Sequence, residues 1–331
     1  MNKRVGSYKK ISKNILQLIS KHYSYLALRE REFQKMSSSL QNDLDKIKND
    51  EGFISHVLKS LFVMKDSHLR IIDKTGKKYW SLPNKKTNYK RQLLGNYFKQ
   101  LKKYGVITIA AKGDIFYLAI DSFANRYKSD FNELYNGLNF RKFQKWIIDL
   151  RANSGGDESL ADRLISNLAG EGNCFISSYT RIRTNKKNPR KFSQFIPKYI
   201  LPGGKYPKRN VMVLIGNNTY SSAELITLDL AAIPGTVLIG DTTGGGSGHP
   251  ERYLTDGPSA GKKIEKKEAP SKYNARFALD IPSLLQYRLD KFLLQDNGIT
   301  PHILIPSSKS VIGRKDIVLE KALELHKNQT L

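Results

Sequence analysis

An apolar run, Val211 to Ile215, breaks into Asn217-Asn218-Thr219-Tyr220-Ser221-Ser222-Ala223-Glu224, and a helix-like segment, Leu225 to Ala232, follows. Consecutive apolar residues bounded by turn formers read as a strand buried on both faces. A strand that passes through a tight turn into a helix is the repeating step of sheets covered by helices. The serine at that turn has two physical uses. It caps a helix well. It also stands where hydrolases expose a nucleophilic hydroxyl, beside a helix N-terminus that favours developing negative charge.

The same step recurs along the chain. Residues 8 to 62 carry helical spacing, as in Phe33, Met36, Leu40, Leu44 and Ile47, and then in Phe53, Ile54, Val57, Leu58, Leu61 and Phe62. This predicts three short amphipathic helices forming a bundle over residues 1–64, ahead of a catalytic domain over 65–331. Leu69–Ile72 reads as a strand, Lys74–Lys78 as a turn and Arg91–Lys103 as a helix. Val106–Ala110 and Ile115–Ile120 flank Gly113 as a hairpin would. Helix and strand then alternate: Ser122–Leu138, Trp146–Leu150, Leu160–Leu168, Val211–Ile215, Ala223–Ala232 and Val237–Gly240, with a last helix over Lys315–His326. Arg181–Arg209, rich in Lys, Asn and Pro, reads as a surface excursion. The expected class is α/β with a mostly parallel sheet.

Composition narrows the function classes. No apolar run is long enough to span a bilayer, and the basic N-terminus lacks a signal-peptide core. The expected location is cytoplasmic for the sequence as it stands, and extracytoplasmic if an export signal precedes it. A single cysteine, Cys174, excludes an internal disulfide and a cysteine metal cluster. Neither a metal nor a cofactor is expected. The net charge of +26 is spread along the chain. It fits a solvated lysine-rich surface or an anionic partner, and no nucleic-acid motif accompanies it. The glycine-rich Gly240-Asp241-Thr242-Thr243-Gly244-Gly245-Gly246-Ser247-Gly248 lacks the Gly-Lys-Ser/Thr ending of a phosphate cradle. It suits a loop whose backbone lies against a substrate, with Gly244, Gly245 and Gly246 at its centre.

Six segments, in order, resemble the C-terminal-processing (tail-specific) serine proteases, and more closely the branch containing the tricorn core. They are Asp66-Ser67-His68, Tyr117-Leu118-Ala119-Ile120-Asp121-Ser122-Phe123, Asp149 through Gly156, Ser221-Ser222-Ala223-Glu224, Gly240 through Gly245, and Asn297 through His302. The resemblance implies a crotonase/ClpP-like βαβ superhelix and a serine endopeptidase acting by acyl transfer. It implies Ser221 as nucleophile, with the N–H of Ser222 and that of Gly155 or Gly156 as the oxyanion hole. One branch of the family places a lysine base where this chain has Gly246; the other uses a histidine, here His68. The third member falls on Asp296, or on the neutral Gln295, with Asp66 as a local alternative.

Leu69 and His302 depart from the family pattern, and no peptide-tethering PDZ segment is recognisable. The implied partner is a peptide or protein substrate, with acidic peptides favoured by the basic surface. Rival readings are a catalytically impaired relative that binds peptide or glycan, a nucleic-acid-binding module argued from charge, and a Ser/Lys enzyme using Lys262 or Lys263.

Overall fold

The structure, a computed structural model, describes residues 3–81, 89–140, 142–172, 174–203 and 209–328, with the backbone alone for 3–6. They group into two compact units. One comprises Met1–Pro83, Thr180–Ile196 and Ser247–Leu285; the other comprises Asn84–Tyr179, Pro197–Gly246 and Gln286–Leu331.

The second unit is built on a seven-stranded sheet. Its spatial order is Ile303–Leu304, Val237–Gly240, Asn210–Ile215, Lys145–Asp149, Ile115–Ile120, Ile107–Lys112 and Leu101–Tyr104. The first five strands pair in parallel and the last two join antiparallel. Alternate side chains leave a strand on opposite faces. Trp146, Ile148, Val211, Val213 and Ile215 therefore meet the helices Lys128–Gly137, Asp162–Ala169 and Ser222–Ala231. Ile147, Met212, Leu214 and Ile239 meet the C-terminal helix Ile317–Asn328. Both faces are covered, which is why these strands are continuously apolar rather than alternating.

A buried ionic group ties that last helix to the sheet. The Arg151 guanidinium donates to both Asp149 oxygens, at 3.0 and 2.6 Å, and to both Asp316 oxygens, at 2.8 Å each. Tyr117 donates its hydroxyl to Asp149, and the Tyr89 ring lies against the guanidinium. Asp316 also caps the helix by accepting the Leu319 N–H at 3.0 Å.

The first unit carries a five-stranded antiparallel sheet in the order Lys263–Ile264, Pro250–Leu254, Phe277–Pro282, Arg70–Asp73 and Lys78–Trp80. The helices Lys3–His22, Glu30–Gln41 and Asp50–Phe62 belong to the same unit. The first and third pack on the sheet. Phe53 meets Phe277 at 5.3 Å and His22 stacks on Tyr253 at 4.2 Å. The third helix starts where Asn49 accepts the Gly52 N–H, an ordinary asparagine cap.

The structure corrects the helix expected over Arg91–Lys103. A 3₁₀ turn, Arg91–Asn96, is followed by an edge strand, Leu101–Tyr104, paired with Ile107–Lys112. Leu93, Leu94, Tyr97 and Phe98 do recur at helical spacing, but Gly95 interrupts them. Gly105, at φ 48°, turns the chain back into a hairpin. The exposed Lys102 and Lys103 suit a sheet edge, where charge discourages further pairing. Within the expected excursion Arg181–Arg209, Ile196–Ile200 is a strand, while residues 204–208 lie outside the described residues.

Candidate active site

Strand Asn210–Ile215 ends against the loop that follows its neighbour, Lys145–Asp149. The Thr219 hydroxyl donates to the Leu150 carbonyl at 2.9 Å, Asn218 donates to the Ala152 carbonyl, and the Tyr220 N–H donates to the Asn153 carbonyl. These bonds fix the chain as it enters Ser221. There φ is 58° and ψ is −127°. A side chain held in such a sparsely populated conformation costs on the order of 1–3 kcal/mol, and the surrounding structure must impose it. Helix Ser222–Ala231 starts at the next residue. The first N–H groups of a helix have no intrahelical acceptor, so the Ser222 amide stands open beside the serine.

Gly155 lies directly against this turn. A Cβ placed on it would sit 2.8 Å from the Ser221 Cβ, 2.8 Å from the Tyr220 carbonyl oxygen and 3.0 Å from the Ser222 nitrogen. With φ at 100°, the position is closed to other residues on both counts. The Gly155 N–H donates to Asn153 Oδ1 at 2.8 Å, and Asn153 Nδ2 is anchored on the Ile120 carbonyl. The Gly155 carbonyl and the Asp157 N–H pair with Phe123. The Gly156 carbonyl accepts the Ser222 hydroxyl at 2.7 Å.

The residue that organises the turn is Glu224, whose task the Ser221–Glu224 motif alone does not disclose. It is fully buried. One carboxylate oxygen accepts the Thr243 hydroxyl at 2.5 Å and the Gly245 N–H at 2.8 Å. The other accepts the Ser221 N–H at 3.1 Å and the Gly246 N–H at 2.8 Å. Burial pushes its pKa up to about 7, against the pull of these donors. One side chain thus fixes both the serine turn and the glycine-rich loop.

The glycine-rich loop is clamped rather than loose. The Gly244 N–H donates to the Thr219 carbonyl and the Ser221 N–H also reaches the Gly246 carbonyl. The amides of Gly244, Gly245 and Gly246 are all engaged by protein acceptors. The Tyr220 ring lies across the loop: a Cβ at 246 would fall 1.7 Å from its Cζ, and one at 244 would fall 2.5 Å from its Cδ2. Tyrosine at 220 and any side chain at 246 exclude each other in this conformation. Asp296 reaches the loop through its backbone, its N–H donating to the Gly245 carbonyl at 2.8 Å. Its exposed carboxylate accepts from the buried Gln295 amide at 3.0 Å.

His68 belongs to the other compact unit, just before strand Arg70–Asp73. Its ring is buried, and burial, followed by the Arg70 and Lys266 cations, holds its pKa well below the ordinary 6.5. Asp66 is buried beside it. One oxygen accepts the His68 backbone N–H at 2.8 Å and lies 3.9 Å from ring Nδ1; the other accepts the Tyr23 hydroxyl at 2.8 Å. His302, where the family pattern has an aspartate, accepts the Leu238 N–H on Nδ1 and so caps a strand. Among the described residues, no group of three or more His, Cys, Asp or Glu side chains could hold a metal ion, and no helix is long and apolar enough to cross a membrane.

The sequence profile of peptidase family S41 matches residues 114–305. The chain belongs to peptidase family S41. Its mixed α/β architecture is that of the family's solved structures. The S41 match includes Ser221, the Gly155–Gly156 pair, the glycine-rich loop and Asp296, and starts downstream of His68. The chain is similar to the nisin-resistance protein of Lactococcus lactis subsp. lactis, with 31% identity over 167 residues, 48% of this chain and 52% of that protein. It therefore spans about half the length of that relative. A peptidase candidate from Parabacteroides merdae ATCC 43184 shares the fold at a TM-score of 0.71 and 19% identity, covering 96% of this chain and 95% of its own. Mature CPAF, solved with lactacystin, superposes at a TM-score of 0.65 and 11% identity, covering 98% of each chain.

Proposed function

We propose that this S41 peptidase cleaves peptide bonds internally by acyl transfer, with Ser221 as nucleophile and His68 as general base. The observation that carries the reading is the Ser221 turn: a non-glycine residue forced to φ 58° between a buried strand and a helix whose first amide is open. Neutral imidazole takes the serine proton and returns it to the leaving amine. A histidine whose pKa is held low is neutral, and so ready to accept a proton, over most of the working pH range. Asp66 is the better-supported orienter, at 3.9 Å from the ring and inside the same unit. Asp296 is kept as the alternative third member, with Gln295 holding its carboxylate.

The Ser222 N–H and the Gly156 N–H are the proposed oxyanion-hole donors. The Gly155 amide is committed to Asn153. The bridge to Phe123 uses the Gly155 carbonyl and the Asp157 N–H, so in extended chain the Gly156 N–H and carbonyl point the opposite way. That carbonyl is the one that meets Ser222. Oxyanion donors of this kind stabilise the charge that develops in the tetrahedral intermediate. The glycine-rich loop then acts as a brace for the serine turn.

A fluorophosphonate tests the nucleophile. Labelling of the wild-type chain that disappears in Ser221→Ala supports the enzyme. A folded wild-type chain that resists labelling supports the impaired, peptide-binding relative instead. Nisin is a trial substrate, given the partial likeness to a nisin-resistance protein, and its cleavage is read by mass spectrometry.

A further inference from the structure

The five-stranded sheet has one face toward the helices and one away from them. Antiparallel partners that stand opposite each other project to the same side. The register Arg252↔Asp280↔Arg70↔Trp80 therefore sets four side chains in a row across the outer face. Lys78 stands on that same side, opposite Ile72 and one step further along the strands. Arg252 and Asp280 are both buried and closed on each other at 2.7 and 3.1 Å, with the Lys266 carbonyl accepting a further guanidinium N–H. That pair is self-neutralising.

Beside the buried apolar residues Ile72, Leu254, Ile264 and Ala278, the side chains Arg70, Lys78 and Lys266 make the rest of this face cationic. Burial lowers the pKa of both Lys78 and Lys266; Asp280 opposes this at each, while the Arg252 and Arg70 cations add to it. Arg70 gives its Nε–H to the Ser67 carbonyl, and its guanidinium lies 5.7 Å from the Trp80 ring centre. Among the described residues, none of the three cations forms an ion pair with a carboxylate. Trp80 beside them is 47% exposed. Surface lysines scattered by chance repel one another into solvent; here sheet register holds Arg70, Lys78 and an exposed indole together, and the Lys266 carbonyl on Arg252 brings in a third positive charge, next to the proposed base. Burial first, and then Arg70 and Lys266, hold His68 low, so an anion bound among these cations would relieve their part of it and strengthen the base.

We infer that Arg70, Lys78 and Lys266, with Trp80, form a recognition surface for the side-chain carboxylates of an acidic peptide substrate. The inference rests on the peptidase reading above, and names the substrate class it selects. Two charges on neighbouring strands and a third on the turn after Lys263–Ile264 suit several carboxylates along a peptide better than one terminal carboxylate.

The test is binding, measured on the full chain carrying Ser221→Ala so that no turnover intervenes. A fluorescently labelled peptide rich in Glu is compared with its Gln isostere by anisotropy, each with a free or an amidated C-terminus. Partly exposed ion pairs contribute modestly, so three of them predict a preference for the Glu peptide of about ten-fold at low salt, shrinking as salt is raised. Arg70→Gln/Lys78→Gln/Lys266→Gln should abolish the preference. Lys78→Gln/Lys266→Gln should reduce it while leaving the Arg70–Ser67 contact intact, which covers the case where the triple variant does not fold. Equal binding of the two peptides, a preference unchanged in the double variant, or a preference lost on C-terminal amidation would each overturn the inference. Fluorophosphonate labelling of the wild-type chain is independent of all these results, so failure of the nucleophile and failure of this surface are read separately.

Discussion

Replacing Glu224 by Gln changes one atom and isolates one titration. In the folded chain the carboxyl has a pKa of about 7, against an ordinary 4.5, because burial disfavours its charged form. The folded state therefore holds a proton that the unfolded state gives up between these two values. Its contribution is full below pH 4.5, and it is lost as pH rises through 7. A difference of that size corresponds to roughly 3 kcal/mol of folding free energy.

Gln at 224 keeps the volume and does not titrate. Its Nε2 can face the Thr243 hydroxyl, which can rotate to accept, while its oxygen serves Ser221 and Gly246. The Gly245 N–H then loses its acceptor. One buried donor left unsatisfied costs about 1–3 kcal/mol. Wild type should therefore be the more stable protein at pH 4.5 by about that amount. The gap should close by roughly 3 kcal/mol by pH 8, leaving the variant level or ahead. Urea denaturation of both proteins at several pH values measures the gap, and taking the difference cancels every other titrating group. A gap constant to within about 1 kcal/mol from pH 4.5 to 8 would refute the assignment of a raised pKa to this carboxyl.

Four further outcomes are expected. Gly246→Ala should strongly destabilise the chain or abolish labelling, because its Cβ would fall inside the Tyr220 ring; adding Tyr220→Ala should restore stability in a thermal melt, and a failure of that rescue would mean the ring is not the obstacle. Asp316→Ala leaves the Arg151 guanidinium short of one of its two carboxylates and should cost about 3–5 kcal/mol in chemical denaturation. Gly155→Ala should suppress fluorophosphonate labelling more than it lowers the melting temperature, since the new methyl group presses on Ser221 and on the Ser222 nitrogen. The general base must be neutral to act, and His68 is held low, so the acid limb of kcat/KM should lie below pH 6.5 and vanish in His68→Ala; a limb above 6.5 that survives the substitution would remove His68 from the mechanism.

What the sequence discloses and what it hides follow from range. Strands such as Val211–Ile215 are legible because both faces are buried, so every residue is apolar. The turn at Ser221 is legible because it is local, a few residues between strand and helix. The Arg91–Lys103 segment misleads for the same local reason: a helical spacing of apolar residues survives although Gly95 and the Gly105 hairpin redirect the chain. Glu224 is present in the sequence as part of a motif, yet its work depends on Thr243, Gly245 and Gly246, about twenty residues away, and no periodicity encodes that. The obstruction between Tyr220 and Gly246 is of the same kind. Read as letters, Gly246 is merely the absence of a lysine. Read in three dimensions, the space beside it is filled by a ring from the turn that carries the serine, so restoring a lysine there requires a second substitution at 220. Whether position 246 can carry a side chain is thus written at two positions, and only one of them is visible without the fold.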